Sequence, residues 1–277
     1  MARTGELAPV TFARLARLIY ENSRLYLAAE KRQMLANRLR PRLAQLNLAN
    51  FEQYYDLLLQ PQALGEQEIL IELVAIHHSH FFRELTHFQY LAQTIVPGLS
   101  ERLQRQGGTL RIWSAATAFG QEAYSIAMTL AQCRHMDPGL RCQLTASDIS
   151  RRALQTARRA IYATDALDGV PTTLLHSYFQ RGQGPQQGHC RVRPELRQQI
   201  RFERINLFQR TYPFSERFHV IFCRNVMIYF DEPARQEALS RMADCLEPGG
   251  YLIVGCSEAL MSHPHRFQPL SQGVYRL

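Results

Sequence analysis

Four short segments place small or polar residues at the ends of predicted strands, where α/β proteins bind their ligands. They are the loop 114–122, Asp148, the pair Asn206-Leu207 and the segment 224–229. Small residues in the loop let a ligand approach the backbone and the unpaired N–H groups of a helix start. A carboxylate in the position of Asp148 can accept both hydroxyls of a ribose. In this order along the chain, the segments indicate a nucleoside-type pocket.

A strand, a tight loop and a helix N-terminus are predicted over residues 111–130, and they carry the first of these segments. Ile112 and Trp113 favour a strand, and small residues follow them. The chain then turns at Phe119-Gly120 and enters a run of apolar residues at helical spacing. This strand–loop–helix unit is the one around which the other elements are expected to be arranged.

Asp148 has a second interpretation, as the N-cap of the helix predicted from Ser150 to about Ala160. Ser150 can fill that cap position equally well. Because the cap does not require Asp148, the ribose interpretation is favoured.

Strands and helices alternate from Leu110 onward, which predicts a mostly parallel α/β sheet. Residues 218–223 form a continuous apolar run, as expected for a central strand buried on both faces. The segment GVYRL at 273–277 is predicted as an antiparallel edge strand. The remaining predicted strands are residues 110–114, 141–147, 200–204 and 251–258.

Residues 161–197 interrupt this alternation. Gly182, Gly184 and Gly188 suit hairpin turns, and HCRVR at 189–193 alternates like an edge strand. No strand precedes these glycines and no helix opens after them, which argues against a phosphate loop. We predict a small β-hairpin suited to pairing with an extended peptide.

The N-terminal part is predicted to be helical and basic. Residues 9–60 and 63–76 have helical periodicity, and Asn50 is the predicted N-cap of one helix. The first fifty residues hold nine cations against three glutamates, within a net charge of +8 for the chain. A solvated helix face and a docking surface for an acidic partner both account for this surplus.

No metal site is predicted from the histidines and cysteines. His77, His78 and His80 are close in sequence, but His77 and His78 cannot share a helix face. The six cysteines show no C-x-x-C pair, and reduced thiols of a cytoplasmic protein are expected. No apolar leader or membrane-spanning segment is evident. Arg83, which follows two phenylalanines, is either a structural ion-pair partner or a residue of the pocket.

The whole pattern resembles the chemotaxis receptor glutamate O-methyltransferase (CheR) family, a branch of the class I S-adenosylmethionine-dependent methyltransferases. The resemblance covers almost all of residues 77–277. The segments that carry it are FFRE at 81–84, WSAATAFGQEAYSIAMTL at 113–130, SDIS at 147–150, RVRPEL at 191–196, INLF at 205–208, FCRNVMIYF at 222–230, LEPGGYLIVGCSE at 246–258 and the closing YRL at 275–277.

The resemblance implies a fold, a cofactor and a division into domains. It implies a class I methyltransferase-like, mostly parallel sheet with flanking helices and an inserted antiparallel β-hairpin subdomain at about 176–196. A small all-α domain at 1–90, which would dock on receptors, precedes a catalytic domain at 91–277. The cofactor would be S-adenosyl-L-methionine, with S-adenosyl-L-homocysteine as product.

Roles for individual residues follow from the same resemblance. Arg83 and Tyr229 would act in catalysis, and Gly182, Gly184 and Gly188 would bind a receptor's C-terminal peptide. Glu122 would lie near the methionine amino group, because Gln121 replaces a glutamate that the family often has. The residues that would contact the cofactor are His77 (often Asn in the family), Ser79, Arg83, Glu122, Asp148, Asn206, Leu207, Asn225 and Val226.

The implied substrate is a glutamate side chain on the cytoplasmic helices of chemoreceptors, and the enzyme would be a monomer without nucleic-acid partner or membrane insertion. Two alternatives remain. A nucleic-acid methyltransferase fits the basic charge, although prolines are absent between Asn225 and Tyr229 and no base-flipping surface is evident. A cofactor-binding sensor or scaffold without turnover is the other.

Overall fold

The computed structural model describes residues 5–260 and 265–277, and the contacts between them divide the chain into two units. The first unit comprises residues up to Ile76 together with Tyr229–Arg235. The second comprises His77–Ile228 and Gln236–Leu277. The sequence prediction puts a domain boundary at residue 90, whereas the contacts group residues 77–90 with the second unit.

The first unit is a small helical bundle around one hydrophobic core. Asn50 caps its third helix by accepting a hydrogen bond from the Gln53 N–H, which confirms the predicted cap. Buried leucines recur at Leu35, Leu39 and Leu43, so one face of the second helix packs into the core. The helices are α1 Pro9–Ser23, α2 Arg32–Gln45, α3 Phe51–Leu58 and α4 Leu64–Val74.

The cations of α2 and Lys31, the residue directly before this helix, serve two different purposes. Arg38 donates to the carbonyls at the C-terminal end of α4, and Arg42 pairs with Glu66. These two side chains therefore stabilise the bundle itself. By contrast, Lys31 and Arg40 have no carboxylate partner within the described ranges. Cations of this second kind contribute to the basic character of the bundle surface.

Glu66 joins two neighbours in the first unit. Its carboxylate accepts from the Arg42 guanidinium at 2.9 Å and from the Tyr54 hydroxyl at 2.8 Å, and its side chain is 11% exposed. Burial alone would raise the pKa of Glu66, but these hydrogen bonds outweigh burial and hold the pKa below its ordinary value of 4.5. The ionised carboxylate is therefore the form that stabilises the fold.

Replacing Glu66 with glutamine should lower the free energy of unfolding at neutral pH by about 2 kcal/mol, since it removes charged hydrogen bonds from a poorly exposed site. A carboxyl group with a lowered pKa in the folded state contributes stability above its unfolded pKa, and this contribution disappears as the pH falls through the folded value. The difference between wild type and Glu66→Gln should thus shrink below about pH 4.5. Thermal unfolding of both proteins across a pH series measures this difference in stability.

Glu21→Gln is the matched control, because Glu21 pairs with Arg17 on an exposed helix face with 52% and 81% of the two side chains accessible. Its effect on unfolding should stay within about 0.5 kcal/mol. An equal loss in both variants would contradict the special role of the Glu66 site.

The second unit contains a seven-stranded sheet in the order β6-β2-β1-β7-β8-β10-β9. The first five strands in this order are parallel, and the last two are antiparallel to their neighbours. The strands are β1 Leu110–Ala115, β2 Cys142–Asp148, β3 Ile161–Ala163, β4 Phe179–Arg181, β5 His189–Val192, β6 Ile200–Arg204, β7 Phe218–Cys223, β8 Leu246–Ile253, β9 Gln268–Ser271 and β10 Val274–Arg276. The α/β prediction is confirmed.

Helices flank this sheet and bury its faces. The long α7 packs on the sheet through an apolar stretch from Ala123 to Leu130. No helix in residues 5–260 or 265–277 is long and apolar enough to cross a membrane. The helices of this unit are α5 Leu85–Tyr90, α6 Val96–Arg105, α7 Gln121–Met136, α8 Arg151–Arg159, α9 Thr172–Tyr178, α10 Pro194–Arg197 and α11 Glu232–Cys245, which begins in the first unit's segment.

Two predictions about edge strands are wrong. β10, which contains most of GVYRL, lies between β8 and β9, so the edge of the sheet is β9. β5, predicted as an edge strand, is the centre of a separate three-stranded sheet between β3 and β4. The three strands that pair at these positions, β3, β4 and β9, have only three or four residues each and are too short to show an alternating pattern.

Candidate functional site

The loop after β1 has a backbone that few side chains tolerate. Ala116, Ala118 and Gly120 all have φ in the left-handed region, at 59°, 52° and 91°. A Cβ atom on Gly120 would lie 2.8 Å from the Cβ of Ala157, so only glycine fits where α7 begins. The strand–loop–helix prediction is confirmed. Small residues occupy this loop because its backbone is strained and because α8 packs closely against it at Ala157.

Asp148 joins this loop to the end of β2. One of its carboxylate oxygens accepts from the Ala118 N–H at 2.8 Å, and the other accepts from the Ser150 N–H at 2.9 Å. Ser150 is itself the N-cap of α8, with its hydroxyl accepting from the Ala153 N–H. The cap prediction for Ser150 is therefore confirmed, and Asp148 holds the loop, while its contact with a ribose stays a prediction.

Two buried polar atoms near the start of α7 have no hydrogen-bond partner in the described part of the chain. They are the Thr117 hydroxyl and the Gln121 side-chain carbonyl, on residues only 1% and 7% exposed. Buried polar atoms are normally satisfied by protein, water or ligand. Together with the helix start, they fit a polar ligand held at this loop.

Glu122 lies one residue further along α7, with 11% of its side chain exposed. Its carboxylate accepts from the Ser114 hydroxyl at 2.8 Å and from the Arg224 guanidinium at 3.1 Å. Burial raises the pKa of Glu122, and Arg224 and Ser114 oppose this rise. A positively charged ligand group beside Glu122 would stabilise its ionised form further.

Arg224 follows β7 directly, and its side chain is only 2% exposed. Besides Glu122, its guanidinium contacts the Glu84 carboxylate at 3.0 Å and the Arg83 carbonyl oxygen. It also lies over the Phe88 ring, 5.3 Å from the centroid. The sequence predicts no role for Glu84, and it includes Arg224 only as part of the segment 224–229. A charged residue directly after a wholly buried strand was the available signal.

Arg83 itself lies in a turn of unusual backbone geometry. Its neighbours Phe82 and Glu84 have φ of 51° and 55°, and the Phe82 N–H donates to the Ser125 hydroxyl. The Arg83 guanidinium donates to the His78 carbonyl at 3.2 Å. In place of the ion pair that one interpretation of the sequence predicts, Arg83 thus contacts a backbone carbonyl. Its side chain is half-buried.

His77 and Ser79 precede that turn, and both are partly accessible. The His77 Nε2 atom lies 3.4 Å from an Asp148 carboxylate oxygen, and its ring packs against Phe119. His77 is thus beside the predicted ribose carboxylate. Ser79 lies in the connecting segment, and its cofactor role stays a prediction.

Asn225 and Val226 form the start of a loop after β7 that a second carboxylate anchors. Asn225 has a φ of 57°, and Glu258 accepts from the N–H groups of Asn225, Ile228 and Gly255. A Cβ atom on Gly255 would lie 2.4 Å from the Asn225 amide nitrogen. Glu258, also missed from sequence, fixes the backbone of the predicted pocket floor.

Asn206 and Leu207 follow β6 in a tight turn. The Asn206 side-chain oxygen accepts from the Phe208 N–H, and Leu207 is buried. Their backbone is well fixed, and their predicted contact with a purine remains a prediction.

One cluster in the second unit has the composition of a metal site. Ligand atoms of Glu84, His87 and Cys256 lie within 4.8 Å of one another. Arg224 already places a positive charge 3.0 Å from Glu84, and the His87 ring is hydrogen-bonded to the Gln272 carbonyl. We interpret the cluster as part of the hydrogen-bond network around Arg224.

Tyr229 belongs to the segment that the contacts group with the helical unit. Its carbonyl accepts from the Tyr26 N–H at 2.9 Å, and the adjoining Phe230 forms a β-bridge with Leu25. The segment is therefore held within that unit by backbone hydrogen bonds. The catalytic role of the Tyr229 side chain stays a prediction.

The three predicted peptide-binding glycines shape the turn between β4 and β5. Gly184 and Gly188 have φ of 55° and 83°, and a Cβ atom on Gly182 would lie 2.0 Å from the Gln186 carbonyl oxygen. Each glycine is required by the backbone of this turn. The flanking β4 leaves one side of the three-stranded sheet unpaired.

A mostly parallel sheet with a strained loop after β1, a carboxylate at the end of β2 and orphan polar atoms at the helix start is the arrangement of an S-adenosylmethionine-dependent methyltransferase. Residues 77–276 match the SAM-binding domain of CheR methyltransferase, and residues 11–74 match the CheR methyltransferase all-alpha domain. The chain belongs to the CheR methyltransferase family, and S-adenosylmethionine is its cofactor.

Curated relatives agree along nearly the whole chain. The chemotaxis protein methyltransferase of Escherichia coli K12 is 41% identical over 98% of this chain and 92% of its own length. That of Salmonella typhimurium LT2 is 39% identical over 100% of this chain and 93% of its own. Chemotaxis protein methyltransferase 2 of Pseudomonas aeruginosa PAO1 is 37% identical over 95% and 91%.

Proposed function

We propose that this protein transfers the methyl group of S-adenosylmethionine to glutamate side chains on the cytoplasmic domains of chemoreceptors, forming methyl esters. The observation that carries the proposal is the similarity to chemotaxis protein methyltransferases across both units of the chain. Acting in chemotaxis, such an enzyme needs a receptor side chain as acceptor. A carboxylate is the acceptor that the site's chemistry suits best.

A glutamate acceptor requires little acid–base chemistry. Its carboxylate is ionised near neutral pH, so no strong general base has to remove a proton. When bound, the cofactor supplies a methyl group activated by a positively charged sulfur. The protein's contribution is then to align the acceptor and to exclude water.

Arg83 is the proposed residue for alignment. A guanidinium can hold a carboxylate through two parallel hydrogen bonds, which fixes both its distance and its direction. Arg83 lies between two residues with left-handed φ, and contacts such as the hydrogen bond from the Phe82 N–H to the Ser125 hydroxyl hold this turn in place. Tyr229 is the second proposed catalytic residue, with its hydroxyl as a hydrogen-bond donor near the reacting groups.

Cofactor binding is proposed to use residues from each loop at the carboxyl ends of the strands. Asp148 would accept the ribose hydroxyls, Glu122 would face the amino group, and Asn225 would contribute to the pocket floor. Asn206-Leu207 would flank the adenine. The remaining proposed contacts are His77, Ser79, Arg83 and Val226.

Two surfaces are proposed to recognise the receptor. Cations such as Lys31 and Arg40, which lack carboxylate partners in the described bundle, would dock on acidic receptor helices. The β4–β5 hairpin would add a receptor C-terminal peptide as a further strand. A second binding site of this kind raises the local concentration of the catalyst without any change in the active site.

Methyl transfer from labelled S-adenosylmethionine tests the proposed activity. With the full chain and a purified chemoreceptor cytoplasmic fragment, we expect label on the protein that is released as a volatile product by base. A fragment whose methylation-site glutamates are changed to glutamine is the matched control and should take up no label. Base-stable label on nucleic acid, or cofactor binding with no transfer to any acceptor, would contradict the proposal.

Calorimetry with receptor C-terminal peptides tests the hairpin separately. Gly188→Val should weaken peptide binding at least about 10-fold, because valine strongly disfavours the φ of 83° at this position. The matched control Gly65→Ala lies in α4, where an added Cβ meets no atom within 4 Å, and it should leave peptide binding unchanged. Equal binding by wild type and Gly188→Val would remove the hairpin from recognition.

A further inference from the structure

Arg224 connects two parts of the second unit that are far apart in the sequence. One terminal nitrogen, Nη1, donates to Glu122 at the start of α7, 102 residues away. The other, Nη2, donates to the Arg83 carbonyl and to the Glu84 carboxylate, 141 and 140 residues away. A single side chain thus ties the cofactor-facing carboxylate to the turn that carries Arg83.

The turn needs such a tie because its backbone is strained. Left-handed φ values at Phe82 and Glu84 each carry a cost of about 1 kcal/mol or more for residues with side chains. The contacts of Arg224 with the carbonyl of Arg83 and the carboxylate of Glu84 offset that cost. Glu84 also accepts from the Cys256 N–H at 3.2 Å, so the turn is fixed from two loops.

The charges of Glu84 and Glu122 also depend on Arg224. Burial alone would raise the pKa of Glu84, but its hydrogen bonds and ion pair with Arg224 hold the pKa below its ordinary value. Arg224 also opposes the rise in the pKa of Glu122. Without this cation, two carboxylates would remain buried and poorly compensated.

We infer that Arg224 is a positioning residue for methyl transfer, because its guanidinium holds the Arg83 turn and the Glu122 carboxylate in one rigid group. This inference rests on the proposed function, in which Arg83 aligns the acceptor. Arg224 is buried and acts through Arg83 and Glu122. Its removal should therefore impair turnover by displacing Arg83, since a shift of about 1 Å in an aligning group can reduce a rate about 100-fold.

A double-mutant cycle of Arg83→Ala and Arg224→Met tests the inference. Arg224→Met should lower kcat about 100-fold and Arg83→Ala about 100- to 1000-fold, and the double variant should be at most about 3-fold slower than Arg83→Ala alone. The loss should appear in kcat more than in the KM for receptor. Losses that multiply in the double variant, or an unchanged kcat in Arg224→Met, would overturn the inference.

A second readout reports on Glu122. Without the Arg224 cation, the pKa of Glu122 should rise further, so binding of S-adenosylhomocysteine to Arg224→Met should weaken as the pH falls, more steeply than in wild type. Calorimetry at several pH values measures this. Identical pH profiles for the two proteins would contradict the proposed coupling between Arg224 and Glu122.

Arg111→Met is the matched control for loss of a poorly exposed arginine. Arg111 lies on β1 at the opposite end of the strand, where it contacts the Arg217 carbonyl and the Glu247 carboxylate and has 16% of its side chain exposed. It should lower the melting temperature while kcat stays within about 2-fold of wild type. A loss of kcat in Arg111→Met as large as in Arg224→Met would reduce the role of Arg224 to stability.

Two further comparisons distinguish a failure of this inference from a failure of the proposed function. If Arg224→Met does not fold, Arg224→Lys carries the same cycle, since lysine keeps the charge but cannot reach all three acceptors with a planar fork. If wild type binds S-adenosylhomocysteine but methylates no receptor fragment, the proposed function fails and the inference about turnover fails with it. If wild type is active and Arg224→Lys equals it, only the inference fails.

Discussion

Replacing Asp148 with alanine should lower the affinity for S-adenosylhomocysteine about 100- to 10,000-fold. Two charge-assisted hydrogen bonds to ribose hydroxyls contribute about 1.5–3 kcal/mol each, and every 1.4 kcal/mol corresponds to a factor of about ten. The variant also removes the acceptor for the Ala118 N–H, which loosens the loop that receives the ligand. Calorimetry with S-adenosylhomocysteine measures the affinity directly.

Ser150→Ala is the matched control, because it removes a polar side chain beside Asp148 without touching the bond from Asp148 to the loop. This substitution removes the cap of α8, whose hydroxyl accepts from the Ala153 N–H, and leaves the Asp148 carboxylate in place. It should cost about 1 kcal/mol of stability and change the affinity less than about 3-fold. If the Asp148→Ala variant binds S-adenosylhomocysteine as tightly as wild type does, Asp148 is excluded from the cofactor site.

The second large effect is expected at Arg83. Arg83→Ala should reduce turnover on a chemoreceptor fragment about 100- to 1000-fold, because the acceptor carboxylate loses the donor pair that aligns it. Affinity for S-adenosylhomocysteine should change less than about 5-fold, since most proposed cofactor contacts lie on other loops. Initial rates at saturating cofactor, together with calorimetry, measure the two effects independently.

Arg201→Ala is the control for Arg83→Ala. Arg201 is an exposed arginine on β6 that pairs with Glu203, so its loss should affect neither rate nor affinity. Turnover by Arg83→Ala that equals wild type at saturating receptor would remove Arg83 from the mechanism. Loss of cofactor affinity as large as the loss of turnover would instead make Arg83 a cofactor-binding residue.

Features with a local cause were predictable from the sequence. The β1–loop–α7 unit, the Asn50 and Ser150 caps and the buried run of β7 each depend on residues near one another in the chain. The family resemblance supplied what local patterns do not, namely the identity of the cofactor, whereas the ribose role of Asp148 was already predicted from its place at the end of a strand. The resemblance also implied that the helical bundle is a separate domain.

Features with a non-local cause were not predictable in this way. Whether β5 is an edge or a centre depends on which short strands pair with it, and no local pattern records that. The partners of Arg224 lie more than a hundred residues away. Glu258 resembles any surface glutamate in sequence, although it anchors the loop that begins at Asn225.

The order of strands also determines when this protein can fold. β1 pairs with β7, so the central pair of the sheet joins segments about a hundred residues apart in the chain, as the Glu122–Arg224 contact does. In the helical unit, the Tyr20 hydroxyl bonds to Asp231 across 211 residues. Contacts of such long sequence separation slow folding, because the intervening chain must be ordered first. During synthesis, neither unit can be completed until the ribosome has passed residue 231, and earlier nascent chains present unpaired strand edges that need protection from aggregation.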